Sequence, residues 1–217
     1  MNITPEELLK ESRTLEPQLQ QWRRTLHRHP EVGFDLPQTK ALVKKALTEM
    51  GYTPQDCGKC GVLALAGGKK PGKVILLRGD MDALPLQEES GEAFASEVPG
   101  KMHGCGHDLH MTGLLGAAFW LAEHRDKFAG SIKILFQPSE ETGQGARAMI
   151  DAGLVDDVEA IIGTHNNPNY APGQLAIGVE PMMAGCVKFR VTLHAQGTHA
   201  GYPYKGTGPI EALASII

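Results

Sequence analysis

Residues 101–110 read Lys101-Met102-His103-Gly104-Cys105-Gly106-His107-Asp108-Leu109-His110, and an apolar run from Met111 to Leu121 follows at once. Three histidines, one cysteine and one aspartate fall within these ten residues, and two glycines allow a tight turn. Cys105 and His107 carry ligand types that zinc prefers. The stretch therefore predicts a metal-binding loop that leads into a buried helix. The alternative is a buried cysteine beside surface histidines. His103 and His110 are expected to support the loop or the fold rather than to bind an ion.

Outside this stretch, short apolar runs alternate with helical patterns. The predicted strands, all interpreted as buried, cover residues 61–65, 74–77, 131–137 and 159–164. The predicted helices cover residues 5–29, 37–50, 111–123 and 145–152. A capping box from Thr4 to Glu7 starts the first of them, and Pro17 either kinks or splits it. This alternation predicts an α/β fold, in which a mixed, mostly parallel sheet carries helices on both faces.

The pattern changes past residue 180. Val187–His194 alternates apolar and polar residues, which is typical of a half-exposed strand, and a helical pattern opens at Pro209. Ile216 and Ile217 continue that apolar pattern without a cap, so we expect a fragment cut inside a second domain. We predict a metal-binding catalytic domain over residues 1–183 and the beginning of an α+β lid or dimerisation domain over residues 184–217.

Composition excludes several classes of protein. The chain has 217 residues, 41% of them hydrophobic, which is enough for a sizeable core. A net charge of -4 argues against nucleic acid or an anionic membrane as the main partner. No apolar run reaches the roughly 18 residues of a membrane span. The acidic start of the chain lacks an apolar export segment, so we expect a cytoplasmic protein with reduced cysteines.

Polar residues follow three of the predicted strands. They occupy Arg78–Asp82, Gln137–Glu141 and Gly163–His165. Ligands of open α/β sheets bind beyond the carboxyl ends of the strands, so these segments and the loop at Cys105 are expected to converge. Adjacent residues of an extended segment point in opposite directions, so in the pair Glu140-Glu141 one carboxylate could bind a metal while the other faces a water. The alternative for this pair is a solvated acidic turn, and for His165 a structural role.

Two further motifs do not fit the functions that they superficially indicate. Gly143–Ala148 has the G-x-G-x-x-A form of a dinucleotide loop, but Pro138–Thr142 separates it from the strand, and two glutamates precede it. Cys57-Gly58-Lys59-Cys60 is a C-x-x-C without a second pair, so it predicts no zinc ribbon.

Five segments together resemble a known family, and they occur in the order of that family. They are Leu26–Phe34, Arg78–Pro85, Met102–Asp108, Phe136–Glu141 and Gly197–Pro203. The family is that of the dinuclear metal-dependent amidohydrolases, the group of aminoacylases, hippurate hydrolases and auxin-conjugate hydrolases, which is related to metallo-carboxypeptidases. The resemblance implies a metallo-exopeptidase-like fold.

The resemblance also implies roles for individual residues. Two divalent ions, zinc or manganese, would be bound, and the implied ligands are Cys105, His107, Glu141 and His165. Glu140 would be the general base, and Asp82 would orient a metal ligand. His199 would belong to a lid that reaches the active site of the partner subunit in a homodimer.

The chain departs from the family pattern at a few positions. Ser139 replaces a commoner alanine, Tyr204 a common histidine, and Thr164 a larger apolar residue. Members of the family also take a last histidine ligand from beyond the length of this chain. The implied activity is hydrolysis of the amide bond of N-acyl amino acids to a carboxylic acid and a free amino acid. The alternatives are a dipeptidase or carboxypeptidase on the same scaffold, and a truncated metal-binding fragment without catalytic activity.

Overall fold

The computed structural model describes residues 4–185, 187 and 189–217, which form two compact units that meet in sequence between Asn169 and Tyr170. The helices of the first unit are α1 (Pro5–Thr14), α2 (Glu16–Arg28), α3 (Pro37–Glu49), α4 (His107–Glu123) and α5 (Gly145–Asp151). Its strands are β1 (Gln55–Cys57), β2 (Gly61–Gly67), β3 (Lys70–Asp80), β4 (Ala129–Gln137) and β5 (Ala160–Gly163).

The five strands form one mixed sheet in the order β1-β2-β4-β3-β5. β3 runs parallel to both β4 and β5, whereas β2 is antiparallel to β1 and β4. Asp80 pairs with Gln137, and Arg78 pairs with Gly163. The carboxyl ends of β3, β4 and β5 therefore meet at one edge of the sheet.

Apolar residues cover both faces of this sheet. On one face, Ile134 and Phe136 of β4 pack with α3 and α4 in the main core. On the other face, Leu135 of β4 and Leu76 of β3 pack against Met149 of α5. Because neighbouring residues of a strand point to opposite faces, this division confirms the predicted α/β fold with helices on both sides.

Most predicted elements of the first unit are present. The capping box at Thr4 and Glu7 starts α1, and the long first helix is split at Leu15, with Pro17 in the first turn of α2. The prediction of buried strands was wrong for β5. This strand lies at the edge of the sheet, so Ile161 and Ile162 stay 57% and 52% exposed.

The second unit, from Tyr170 to Ile217, contains a short 3-10 turn at Pro203–Lys205 and the predicted helix, α6 (Pro209–Ile216). The strand predicted over Val187–His194 is not formed in the residues described there, because no described segment of this unit pairs with it. Cys186 and Lys188 lie outside the described residues. The predicted limits 1–183 and 184–217 stay a prediction, since residues 170–185 form no helix or strand. Among the described helices, none is both long and apolar enough to cross a membrane.

Candidate metal centre

Four segments of the first unit converge at the carboxyl edge of the sheet. Asp80 ends β3, Gln137 ends β4, Gly163 ends β5, and α4 begins at His107. The glycine before it, Gly106, has φ 83°, a left-handed conformation that glycine adopts without a steric penalty. The turn places the side chains of Cys105 and His107, on either side of Gly106, in one cluster.

Three of the predicted ligands lie within reach of one ion. The ligand atoms of Cys105, His107 and Glu141 all lie within 4.8 Å of one another. Nε2 of His107 is 3.7 Å from Oε1 of Glu141. In the described part of the chain, neither ring nitrogen of His107 nor this Oε1 atom has a hydrogen-bond partner, although all three are buried. Buried polar atoms rarely stay unsatisfied, so this arrangement fits a bound cation.

The fourth predicted ligand, His165, lies beside Cys105. Its Nε2 is 3.5 Å from Sγ of Cys105. Its Nδ1 donates a hydrogen bond to the backbone oxygen of Asn166 at 2.7 Å, which leaves Nε2 free to bind a metal. One thiol, two imidazoles and one carboxylate are a donor set that suits zinc and related divalent ions.

Asp82 supports the segment that carries the two glutamates. Its Oδ1 and Oδ2 accept hydrogen bonds from the backbone nitrogens of Glu140 and Glu141, at 2.8 and 3.2 Å. Oδ1 also lies 3.7 Å from Nδ1 of His107. Asp82 therefore touches one predicted ligand and holds the backbone of another.

The two glutamates are not in an extended segment, contrary to the interpretation from sequence. Ser139, just before them, has φ 55°, an uncommon value for a residue other than glycine, and the chain turns there. Oε2 of Glu140 lies 3.8 Å from Nε2 of His107, and Oε1 of Glu141 lies 3.7 Å from it. Both carboxylates thus face the same imidazole, and that of Glu140 stays 41% exposed to solvent.

The charges around these predicted ligands are negative. Burial lowers the pKa of His107, but the neighbouring carboxylates of Asp82, Asp80 and Glu141 outweigh it, so the net shift is upward. Burial and then the charge of Glu141 raise the pKa of Cys105 to about 12. An excess of carboxylates that raises both pKa values is also an environment that attracts a cation.

A second buried cluster combines His107 with two residues, Asp80 and His110, that were not predicted as metal ligands from the sequence. Asp80, His107 and His110 also place ligand atoms within 4.8 Å of one another. Nδ1 of His110 donates to Asp80 at 2.6 Å, and Arg78 donates to the other oxygen of Asp80 at 2.6 Å. Burial would raise the pKa of Asp80, but the bond from His110 and the charge of Arg78 lower it to about 2. The signal in the sequence is the spacing of His107 and His110, which places them on one face of a helix.

The remaining sequence candidates are not members of either cluster. His103 is buried, neither of its ring nitrogens has a partner among the described residues, and burial lowers its pKa to about 4. His199 belongs to the second unit, where its Nδ1 accepts a hydrogen bond from the backbone of Gly201 at 3.0 Å. Gly145 approaches the backbone oxygen of Pro138 too closely for any side chain, so a packing requirement accounts for this glycine of the G-x-G-x-x-A motif. Cys57 is a free thiol that packs against Met149.

Comparison with known proteins gives consistent results. The model of peptidase family M20/M25/M40 matches residues 76–215. An N-acetyl-L-cysteine deacetylase of Bacillus subtilis is 43% identical over 205 residues, which is 94% of this chain and 49% of that protein. An IAA-amino acid hydrolase of Arabidopsis thaliana is 40% identical over 197 residues, which is 90% of this chain and 45% of that protein.

A solved structure supports the same assignment. It is a Bacillus subtilis protein described as a dinuclear metal binding peptidase from the M20 family, 40% identical with a TM-score of 0.70, covering 72% of this chain and 45% of that one. The chain spans about half the length of the relatives it matches. The resemblance deduced from the five motifs is thereby confirmed, and the chain belongs to peptidase family M20/M25/M40.

Proposed function

We propose that this chain forms the metal-binding core of an enzyme that hydrolyses the amide bond of N-acyl amino acids, releasing a carboxylic acid and a free amino acid. The observation that carries the proposal is that buried atoms of His107 and Glu141, beside the thiol of Cys105, have no hydrogen-bond partner among the residues that the structure describes. Relatives named for amide hydrolysis support it, among them an N-acyl-L-amino acid amidohydrolase of Geobacillus stearothermophilus that is 39% identical over 198 residues.

In this proposal Cys105, His107, Glu141 and His165 hold two divalent ions, zinc or manganese. The ions would polarise the amide carbonyl and lower the pKa of the attacking water. The exposed carboxylate of Glu140 accepts the proton of that water and later gives it to the departing amine. The water oxygen forms the new bond to the carbonyl carbon, and the bond from that carbon to nitrogen breaks.

Asp82 has a supporting role in the same proposal. It holds the backbone of Glu140 and Glu141 and lies beside the ring of His107. It thereby sets where the base and two ligands point.

We further propose that the second part of the chain serves in dimerisation and substrate binding. Residues 184–217 would begin a lid through which two copies form a homodimer, and His199 would donate a hydrogen bond to the substrate in the partner subunit's site. The proposed location is cytoplasmic, and neither nucleic acid nor a membrane is a proposed partner.

A second candidate function is hydrolysis of peptides on the same scaffold. A relative from Saccharolobus solfataricus, named thermostable carboxypeptidase 2, is 38% identical over 210 residues. An N-acyl amino acid and a dipeptide differ on the side of the amide bond away from the free carboxylate. A substrate panel therefore separates the two functions.

The test uses the chain loaded with Zn²⁺ or Mn²⁺, a panel of N-acetyl amino acids and dipeptides, and the variant Glu140→Gln. We expect turnover of the acyl amino acids, a loss in kcat of about 10²- to 10⁴-fold in Glu140→Gln, and unchanged metal affinity. Glu89 is exposed to solvent, so the variant Glu89→Gln is the control and should keep full activity. Turnover of dipeptides alone would favour the peptidase. Metal binding without any turnover would favour the metal-binding fragment, and turnover that Glu140→Gln leaves unchanged would refute the proposal.

A further inference from the structure

Asn166 follows the predicted ligand His165 and packs against the loop that carries two others. Its side-chain amide fills the space beside Gly106, where an added Cβ atom would lie only 2.3 Å from the amide oxygen. Gly106 stands between Cys105 and His107. Any side chain at position 106 would therefore displace Asn166.

His110 holds Asn166 from another direction. Nε2 of His110 lies 2.8 Å from the side-chain oxygen of Asn166 and 3.2 Å from its backbone nitrogen. A protonated ring can donate to the oxygen, and a neutral ring can accept from the backbone N–H. The link therefore persists in both states of the ring. Asp80 accepts from Nδ1 of His110 at 2.6 Å and fixes the ring from behind.

Asn166 in turn holds His165. Its backbone oxygen accepts from Nδ1 of His165 at 2.7 Å, and Nε2 then faces Sγ of Cys105 at 3.5 Å. The ring of His165 is exposed and lies beyond the end of β5, where the sheet no longer holds the chain. Its edge meets the ring of His110, with ring centroids 4.7 Å apart.

We propose that Asn166, anchored by His110 and Asp80, is a positioning residue that fixes the ring of His165 so that its Nε2 points at the metal. The inference rests on the proposed function, because it requires His165 to bind an ion. Partners that orient a ligating histidine typically change metal affinity about 10- to 100-fold when they are lost. Asn166 acts here through its side chain, which keeps its own carbonyl in place beside His165.

The test is a Co²⁺ titration of the purified chain. Binding is monitored by two absorption signals, the d–d bands of Co²⁺ and the charge-transfer band from the Cys105 thiolate. We expect Asn166→Ala to weaken Co²⁺ affinity about tenfold or more and to alter the d–d spectrum. The matched control is Asn167→Ala. Among the described residues, the side chain of Asn167 accepts a hydrogen bond from the backbone of Asn169 alone, at 2.9 Å, within the same segment. This control should bind Co²⁺ as the unchanged chain does.

A double-mutant cycle tests whether Asn166 acts through His165. In a His165→Ala background, Asn166→Ala should cause no further loss of affinity. Losses that add would overturn the inference, because Asn166 would then act by another route.

A second variant removes the anchor without touching Asn166. In His110→Asn the shorter amide can still donate to Asp80, but it cannot reach Asn166, so we expect the same weakened binding. Normal Co²⁺ binding by both Asn166→Ala and His110→Asn would overturn this inference and leave the proposed function intact. If the chain without substitutions gave no Co²⁺ band that depends on Cys105, both the inference and the proposed function would be overturned.

Discussion

Two clusters share His107 and differ in whether their polar atoms have partners. In the paired cluster, Asp80–His107–His110, Asp80 and His110 bond to each other and to Arg78 and Asn166. In the open cluster, Cys105–His107–Glu141, both ring nitrogens of His107 and one oxygen of Glu141 have no hydrogen-bond partner in the described residues. Both contain ligand types within 4.8 Å. Proximity of such side chains therefore does not by itself mark a metal site. The open cluster fits one because it combines this proximity with unsatisfied buried atoms.

The largest effect is expected from a change in the paired cluster. Asp80 is 1% exposed, and Asp80→Ala leaves the buried Nδ1–H of His110 and the guanidinium of Arg78 without their acceptor. We expect the free energy of unfolding of the metal-free chain to fall by about 3–5 kcal/mol. Urea denaturation measures this loss. Asp56→Ala, which removes an exposed carboxylate between Lys40 and Lys44, is the control and should change stability little. Equal losses of stability in Asp80→Ala and Asp56→Ala would show that the hydrogen bonds of the paired cluster do not stabilise the metal-free chain.

The open cluster should respond in the opposite way. Cys105→Ala removes one proposed ligand but no hydrogen bond that the metal-free fold depends on, so stability without metal should stay unchanged. Co²⁺ affinity should fall by more than about 100-fold. This loss is larger than the one expected when a residue that only hydrogen-bonds a metal ligand is removed. The control is Cys57→Ala, since Cys57 is another free, half-buried thiol that lies outside both clusters. Loss of stability without loss of affinity would reverse the roles of the two clusters.

Acid should weaken the paired cluster as Asp80 becomes protonated. The pKa of Asp80 is lowered from 3.8 to about 2, so its contribution is complete above pH 3.8 and is lost as pH falls through 2. At about 1.4 kcal/mol per pKa unit, this contribution is roughly 2–3 kcal/mol. Urea denaturation of the metal-free chain from about pH 5 downward measures it. Asp80→Asn should have a flatter dependence on pH, and an identical slope would show that other carboxylates are responsible.

The sequence predicted the location of the site better than its details. Polar residues after three strands predicted convergence, because parallel strands end at the same edge, and Asp80, Gln137 and Gly163 do end there. The direction of Glu140 and Glu141 was not predictable in the same way. It depends on the left-handed backbone of Ser139, which a local pattern of serine and glutamate does not encode.

Tertiary partners explain the other differences. Asn166 is one of two adjacent asparagines, and its contacts with Gly106, His110 and His165 distinguish it from Asn167. Val187–His194 has the alternation of a strand, but a strand also needs a neighbour to accept its hydrogen bonds. Burial of Ile161 and Ile162 likewise depends on what lies beside β5, which hydrophobicity alone does not reveal.

The bond pattern of Asp82 has a consequence for the kinetics of metal uptake. Both of its oxygens already hold the backbone beneath Glu140 and Glu141, so the entropy of ordering that segment is lost during folding and not when an ion arrives. A preorganised pocket of this kind needs little rearrangement on binding. Association rates should therefore follow how fast each hydrated ion releases its water, and the backbone of the metal-free and loaded states should superpose closely around the site.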